Sequence, residues 1–141
     1  MFIDASALVA VLKNEPEAPV LVKAMEAAKG PLRISPVVRL EAALALVRTM
    51  REQRGDVHST AEDFETAQAM IAELIETLGA REMHITESMG TAAIEALGRY
   101  GKVVGHPARL NLGDALSYAC ARAFHAPLLY KGDDFARTDL A

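Results

Sequence analysis

The sequence predicts an α/β fold, a short parallel sheet with helices on both faces. Three observations predict it. Apolar runs at Phe2-Ile3, Leu32–Ser35 and Leu128–Tyr130 are too brief for helices and suit buried strands. Between them, apolar residues recur at helical spacing. Capping and breaking residues stand at the junctions. Strands that alternate with helices are the pattern of a parallel sheet covered on both sides.

Each element can be justified in turn. Phe2-Ile3 forms the first strand, and Asp4 follows at its carboxyl end. Ser6 then opens the stripe Ala7, Leu8, Val11, Leu12, with Ser6 as the expected N-cap. A second helix is expected from Glu17 to Lys29, stopped by Gly30-Pro31. Ser35-Pro36 reads as an N-cap followed by proline at the first helical position. The third helix should run from Val37 to Arg54, with Val37, Leu40, Leu44, Val47 and Met50 facing inward. Glu41 lies beside that stripe rather than opposite it. Thr60-x-x-Asp63 resembles a capping box, and Phe64, Ala67, Ile71, Leu74, Ile75 and Leu78 carry the next helix to Gly79. Glu82–Ile85 is a weak strand, and Thr86 caps a helix that reaches Tyr100. Gly101–Asn111 is loop-like, Gly113-Asp114 opens the last helix, and Leu128–Tyr130 is the last strand.

Bulk properties narrow the class. A length of 141 residues suits one domain, taken as 1–141. Apolar residues make up 51% and charged residues 24%, as in globular proteins. The mean hydropathy of +0.13 points to a large core or to a covered surface. The single cysteine, Cys120, excludes a disulfide framework and fits a reducing cytoplasm. No apolar run approaches the roughly 18 residues of a membrane span, so no membrane partner is expected. The start of the chain carries no signal-like segment.

The net charge of −4 excludes a protein that holds nucleic acid through phosphates alone. Positive charge is nevertheless uneven. No acid lies between Glu95 and Asp114, while Arg99, Lys102, His106 and Arg109 do. A solvated loop would look the same. Arg48, Arg51 and Arg54 complement a helix C-terminus, which explains them without a ligand.

The acids carry the functional argument. Asp4 follows the first strand, Glu41 sits on the helix after the second, and Asp114 opens the helix before the last. Asp133 and Asp134 follow that last strand. In a parallel sheet all approach the carboxyl edge, where open α/β folds bind ligands. Taken singly, each has a plain reading: Asp4 and Asp114 as helix caps, Glu41 as an edge charge, Asp133 and Asp134 as turn formers. Taken together, they repel one another unless a cation neutralises them. Mg²⁺ prefers such oxygen ligands, and no His/Cys cluster has zinc spacing. Side-chain nucleophiles find no support: Ser6, Ser35, Ser88 and Ser117 lack nucleophile-elbow glycines, and Cys120 reads as core. His84 reads as structural, and His58 and His125 as surface. Phosphate-loop and dinucleotide fingerprints are absent.

Four stretches resemble the PIN-domain family, in order along the whole chain. They are Phe-Ile-Asp-Ala-Ser-Ala-Leu at the start, Ile-Ser-Pro-Val-Val-Arg-Leu-Glu at 34–41, Leu-Asn-Leu-Gly-Asp-Ala-Leu-Ser-Tyr at 110–118, and Leu-Leu-Tyr-Lys-Gly-Asp-Asp-Phe-Ala-Arg-Thr-Asp at 128–139. Within that family they are similar to the VapC toxins of bacterial toxin–antitoxin pairs. The match is weakest over 56–84, where the helix is longer than the family usually needs. The resemblance implies a three-layer α/β/α fold and an endoribonuclease dependent on Mg²⁺, with Mn²⁺ as a substitute. It implies Asp4 and Asp114 as metal ligands, Glu41 as a further acid, and Asp134 in preference to Asp133 as the fourth. A metal-activated water would attack phosphorus. The Arg99, Lys102 and Arg109 loop could then hold flanking phosphates of RNA. A VapB-type antitoxin is implied as partner, and the alanine-rich helices point to a homodimer. Three other readings compete. One is a receiver-like signalling domain, with Lys131 near the last strand. Another is a PIN-like binding module that has lost catalysis, and the third is a metal-dependent phosphatase.

Overall fold

A computed structural model describes residues 1–140; Ala141 lies outside the described residues. The chain runs β1 (Phe2–Ile3), α1 (Ala5–Leu12), α2 (Ala18–Glu26), β2 (Arg33–Ile34), α3 (Pro36–Arg54), α4 (Ala61–Leu78), β3 (Arg81–Glu82), α5 (Glu87–Tyr100), α6 (Leu112–Ala123) and β4 (Leu128–Leu129). A single 3₁₀ turn, Lys102–Val104, lies between α5 and α6. All pairings are parallel, in the order β3-β2-β1-β4. Phe2 stands beside both Arg33 and Leu128.

That order explains the three layers. From β1 to β2 to β3 the chain steps in one direction, and from β3 to β4 it crosses back to the far edge. Right-handed crossovers place helices on opposite faces when the direction reverses. Accordingly α1, α2, α3 and α4 pack on one another, while α5 packs on α6, and α6 lies against β1 and β4. The reversal occurs at β1, which has β2 on one side and β4 on the other. Asp4 therefore leaves the sheet at the switch point, the crevice where α/β folds place ligands.

β1 stands as read, β2 and β4 are shorter than the sequence predicts, and β3 begins one residue earlier and ends at Glu82, yet the ladder hydrogen bonds reach beyond the strands. Phe2 N donates to Pro127 O at 2.8 Å, Asp4 N to Leu129 O at 2.9 Å, and Arg33 N to Met1 O at 2.9 Å. Phe2, Ile3, Leu8 and Ile34 are fully buried at the centre of the main core, joined by Val38, Leu46 and Ile71. A smaller cluster of Ala96, Ala108, Leu110, Tyr118 and Phe135 anchors the 101–110 loop and the C-terminal segment. Among the described residues, no helix is long and apolar enough to cross a membrane.

Three expectations need correction. Asp4, not Ser6, caps α1: its carboxylate accepts from Ser6 N. Ser6 lies inside the helix, because the chain turns helical directly after the strand. On α3, Leu40 is 57% and Leu44 47% exposed; Val47 is buried as read from the sequence, but Val38, Ala42, Ala43 and Leu46 complete the inward face. Two small alanines thus lie on the inward face where the sequence placed leucines. His84 is exposed rather than structural. The caps at Ser35, Thr60 and Thr86 stand as read from the sequence. In the long 56–84 region, Arg54 forks onto Asp63 with bonds of 2.6 and 2.8 Å and ties α3 to α4. That fork holds the Asp63 carboxyl down at about 2.

Candidate active site

Asp4 is 4% exposed, and a buried carboxylate needs partners. It has three. Ser6 N donates to Oδ2 at 2.9 Å, Ser6 Oγ donates to Oδ2 at 2.6 Å, and Ser117 Oγ donates to Oδ1 at 2.6 Å. A carboxylate offers about four lone-pair sites, so acceptor capacity remains on Oδ1. The Ser6 hydroxyl is itself held from β4, where Lys131 N donates to it at 3.0 Å. Strand β1, helix α6 and the end of β4 thus converge on one carboxylate. Ser6 and Ser117 are its anchors and not nucleophiles. Their role was missed in the sequence, although Ser117, one turn after Asp114, shares its helix face.

Asp114 lies in the first turn of α6. Asn111 is the N-cap there: its side chain accepts from Asp114 N at 3.0 Å, and Asp114 Oδ2 accepts from Asn111 N at 2.9 Å. The loop expected from the sequence extends through Asn111, although Asn111-x-x-Asp114 carries the signal of a capping box with Asp in the usual Glu place. The box uses one oxygen of Asp114 and leaves Oδ1 without a hydrogen-bond partner. Helix capping and a role in a site are therefore compatible for this residue, as they are for Asp4.

Glu41 projects from α3, half-buried, and its carboxylate rests against Gly113 of α6. Burial pushes its carboxyl up to about 7, and the charges of Asp4 and Asp114 add to the rise. Asp114 rises to about 6, chiefly through burial and then through Asp4 and Asp134, against the opposing bond from Asn111. Three of the four acids thus act on one another directly, and Asp134 joins them through Asp114. Asp134, rather than its neighbour Asp133, is the residue whose charge reaches Asp114. Both are exposed in the turn after β4.

No three His, Cys, Asp or Glu side chains among the described residues stand close enough to form a ready-made metal cage. Mg²⁺ does not require one, since it usually binds through one or two carboxylates and keeps several waters. The donor set is all oxygen, and two of its members are held above their ordinary pKa by burial first and by the negative charge around them second. That chemistry fits a hard divalent cation and not zinc.

Arg99, Lys102 and Arg109 are all exposed. Arg99 stacks over the Tyr100 ring at 4.9 Å and donates to its hydroxyl at 3.0 Å. Lys102 N donates to Leu110 O, and Leu110 N to Tyr100 O, each at 3.1 Å, which closes the 101–110 loop. Arg109 has φ of 54°, a left-handed backbone that an arginine adopts only where surrounding bonds impose it. The loop leads straight into Asn111 and so to Asp114. Cys120 is fully buried, and burial pushes its thiol up to about 11, which excludes it as a nucleophile.

Comparison with known proteins identifies the family. Residues 1–140 match the PIN domain family. A VapC ribonuclease of Rhizobium meliloti is 41% identical over 139 residues, covering 99% of this chain and 98% of its own. Ribonuclease VapC42 of Mycobacterium tuberculosis is 34% identical over 140 residues, covering 99% and 96%. Among solved structures, VapC20 of Mycobacterium tuberculosis, described as a sarcin–ricin loop cleaving toxin, superposes with a TM-score of 0.68 at 19% identity. It covers 96% of this chain and 92% of its own. A toxin–antitoxin complex from Klebsiella pneumoniae gives 0.61 at 18%, covering 99% and 92%. With a family match over nearly its full length and relatives well above 30% identity, this chain belongs to the PIN-domain family, among its VapC-type members.

Proposed function

We propose that the protein is a Mg²⁺-dependent endoribonuclease, the toxin of a toxin–antitoxin pair. One observation carries the reading. Asp4, Glu41, Asp114 and Asp134 come from four separate places in the chain to one sheet edge, where burial and then the charges of their neighbours push the carboxyls of Glu41 and Asp114 upward. A protein gains no stability from such a cluster, so a cation that needs it is the economical explanation. The ribonuclease names of its relatives supply the substrate class.

Asp4 and Asp114 would hold the metal, each through an oxygen with acceptor capacity to spare. When bound, a divalent cation supplies an activated water and offsets charge at phosphorus. Ser6 and Ser117 keep the Asp4 carboxylate in one orientation. Glu41, set beside Asp4 and Asp114, is placed to accept a proton from the attacking water. Asp134 completes the negative rim. Arg99, Lys102 and Arg109 would position flanking phosphates, which an acidic protein otherwise repels. Mn²⁺ is expected to replace Mg²⁺.

The partner is proposed to be a VapB-type antitoxin, and the toxin itself a homodimer in the cytoplasm. In support, Leu40 lines a groove of about 340 Å³ between α3 and α4, with Pro36, Ala43 and Phe64, and Leu44 is exposed one turn further along.

Purified protein incubated with RNA in Mg²⁺ and in EDTA tests the reading. Cleavage should require the cation. Asp4→Asn and Asp114→Asn should each reduce it by at least a hundredfold while the circular dichroism stays native. Full activity in EDTA, or in both variants, would overturn the assignment.

A further inference from the structure

Gly113 is unlike the other eight glycines of the chain. Gly55, Gly79, Gly105 and Gly132 have positive φ, so their backbone explains them. Gly30, Gly90 and Gly98 face open space, and a Cβ on Gly101 would meet the backbone of Leu97. Gly113 is buried, helical and without positive φ. Alanine would suit that position better in any ordinary helix. A Cβ there would collide with the Glu41 carboxylate, with Oε1, Cδ and Oε2 as its three nearest atoms.

We propose that Gly113 is the positioning residue for Glu41, its missing side chain forming the seat that sets the carboxylate beside Asp114. Glu41 makes no side-chain hydrogen bond among the described residues, in contrast to the three at Asp4 and the one at Asp114. Sterics must therefore do for Glu41 what hydrogen bonds do for the other two. The seat lies in the first turn of α6, where the helix dipole favours negative charge. It also couples α3 to α6, so one glycine fixes the spacing of acids from two elements. The catalytic consequence rests on the nuclease reading above; the steric seat does not.

Gly113→Ala, Glu41→Ala and the double variant test it, with thermal melting, Mn²⁺ titration by calorimetry and RNA cleavage as readouts. In the Glu41→Ala background nothing occupies the seat. There Gly113→Ala should raise the melting temperature and leave Mn²⁺ affinity unchanged. In the wild-type background it should not raise the melting temperature. It should instead lower Mn²⁺ affinity several-fold and kcat at least tenfold, with little change in KM. An equal rise in melting temperature in both backgrounds, or wild-type Mn²⁺ affinity in Gly113→Ala, overturns the proposal. If Gly113→Ala does not fold while the double variant does, the collision is with Glu41, which supports it. Failure of both to fold overturns it. Should the wild type neither bind Mn²⁺ nor cut RNA, the nuclease reading falls, and the melting cycle still decides the seat.

Discussion

At the scale of single residues, the site divides its acids by environment. Asp4 is buried but fully supported, while Glu41 and Asp114 are pushed upward by burial and by their neighbours. Ser117 therefore matters more than a buried serine usually does. Ser117→Ala deletes a charge-assisted bond, an interaction worth about 1.5–3 kcal/mol. Part of that loss should appear as lower stability in urea, and part as roughly tenfold weaker Mn²⁺ binding. Wild-type Mn²⁺ affinity in this variant would show that Asp4 orients itself without help. The raised carboxyls also predict a pH effect with a definite sign. Both groups hold a proton more tightly folded than unfolded, so without a cation they stabilise the fold at low pH. That contribution is lost as pH rises from the ordinary 4.5 to about 7 for Glu41, and from 3.8 to about 6 for Asp114. The metal-free protein should therefore melt at a lower temperature at pH 7.5 than at pH 5. Glu41→Gln should flatten that dependence, and added Mg²⁺ should offset the loss at pH 7.5. A pH profile identical in wild type and Glu41→Gln would contradict the assignment.

At the scale of elements, α6 is the organiser. Its first turn carries the Asn111–Asp114 box and Gly113, and its second turn carries Ser117. The loop that feeds it is closed by backbone bonds at both ends and further held by Ala108 N donating to His106 Nδ1 at 3.1 Å. The loop is thus a fixed platform, and its cations are displayed at defined places. Replacing Arg99, Lys102 and Arg109 by Ala should weaken RNA binding and flatten its salt dependence. Each lost phosphate contact should reduce the slope of log affinity against log salt by roughly 0.7 for single strands. Turnover at saturating RNA should change little, because these residues are proposed to position phosphates and not to assist bond breaking. Equal slopes in wild type and triple variant would leave the loop without a role in binding.

At the scale of the whole molecule, exposed apolar residues on α3 call for a cover. Leu40 and Leu44 lie on the outer face, so changing both to Glu removes no core contact. If that face joins two copies, the double variant should sediment as a monomer with an unchanged melting profile at low concentration. A dimer that persists would place the interface elsewhere. The relation of sequence to structure is clearest in this same helix. Its Ser35 cap, its Pro36 start and its Gly55 stop were all legible, because caps act within one turn of chain. Its buried face was legible only in part, because burial depends on what packs against it: Val47 goes inward as read, while Ala42, Ala43 and Leu46 are buried in place of Leu40 and Leu44. The acids show the same division. Their position after β1 and β4 and at the start of α6 was readable from local signals, and order along the chain sufficed to place them at one edge. Which oxygen of Asp4 meets Ser117, 113 residues away, was decided by tertiary structure. So were the choice of Asp134 to act on Asp114 and the seating of Glu41 on Gly113. By itself the sequence determined the elements, their parallel arrangement and the acids, since periodicity and capping are short-range. Tertiary structure alone decided which groups share a proton field and a surface, since that depends on distances between segments remote in the chain.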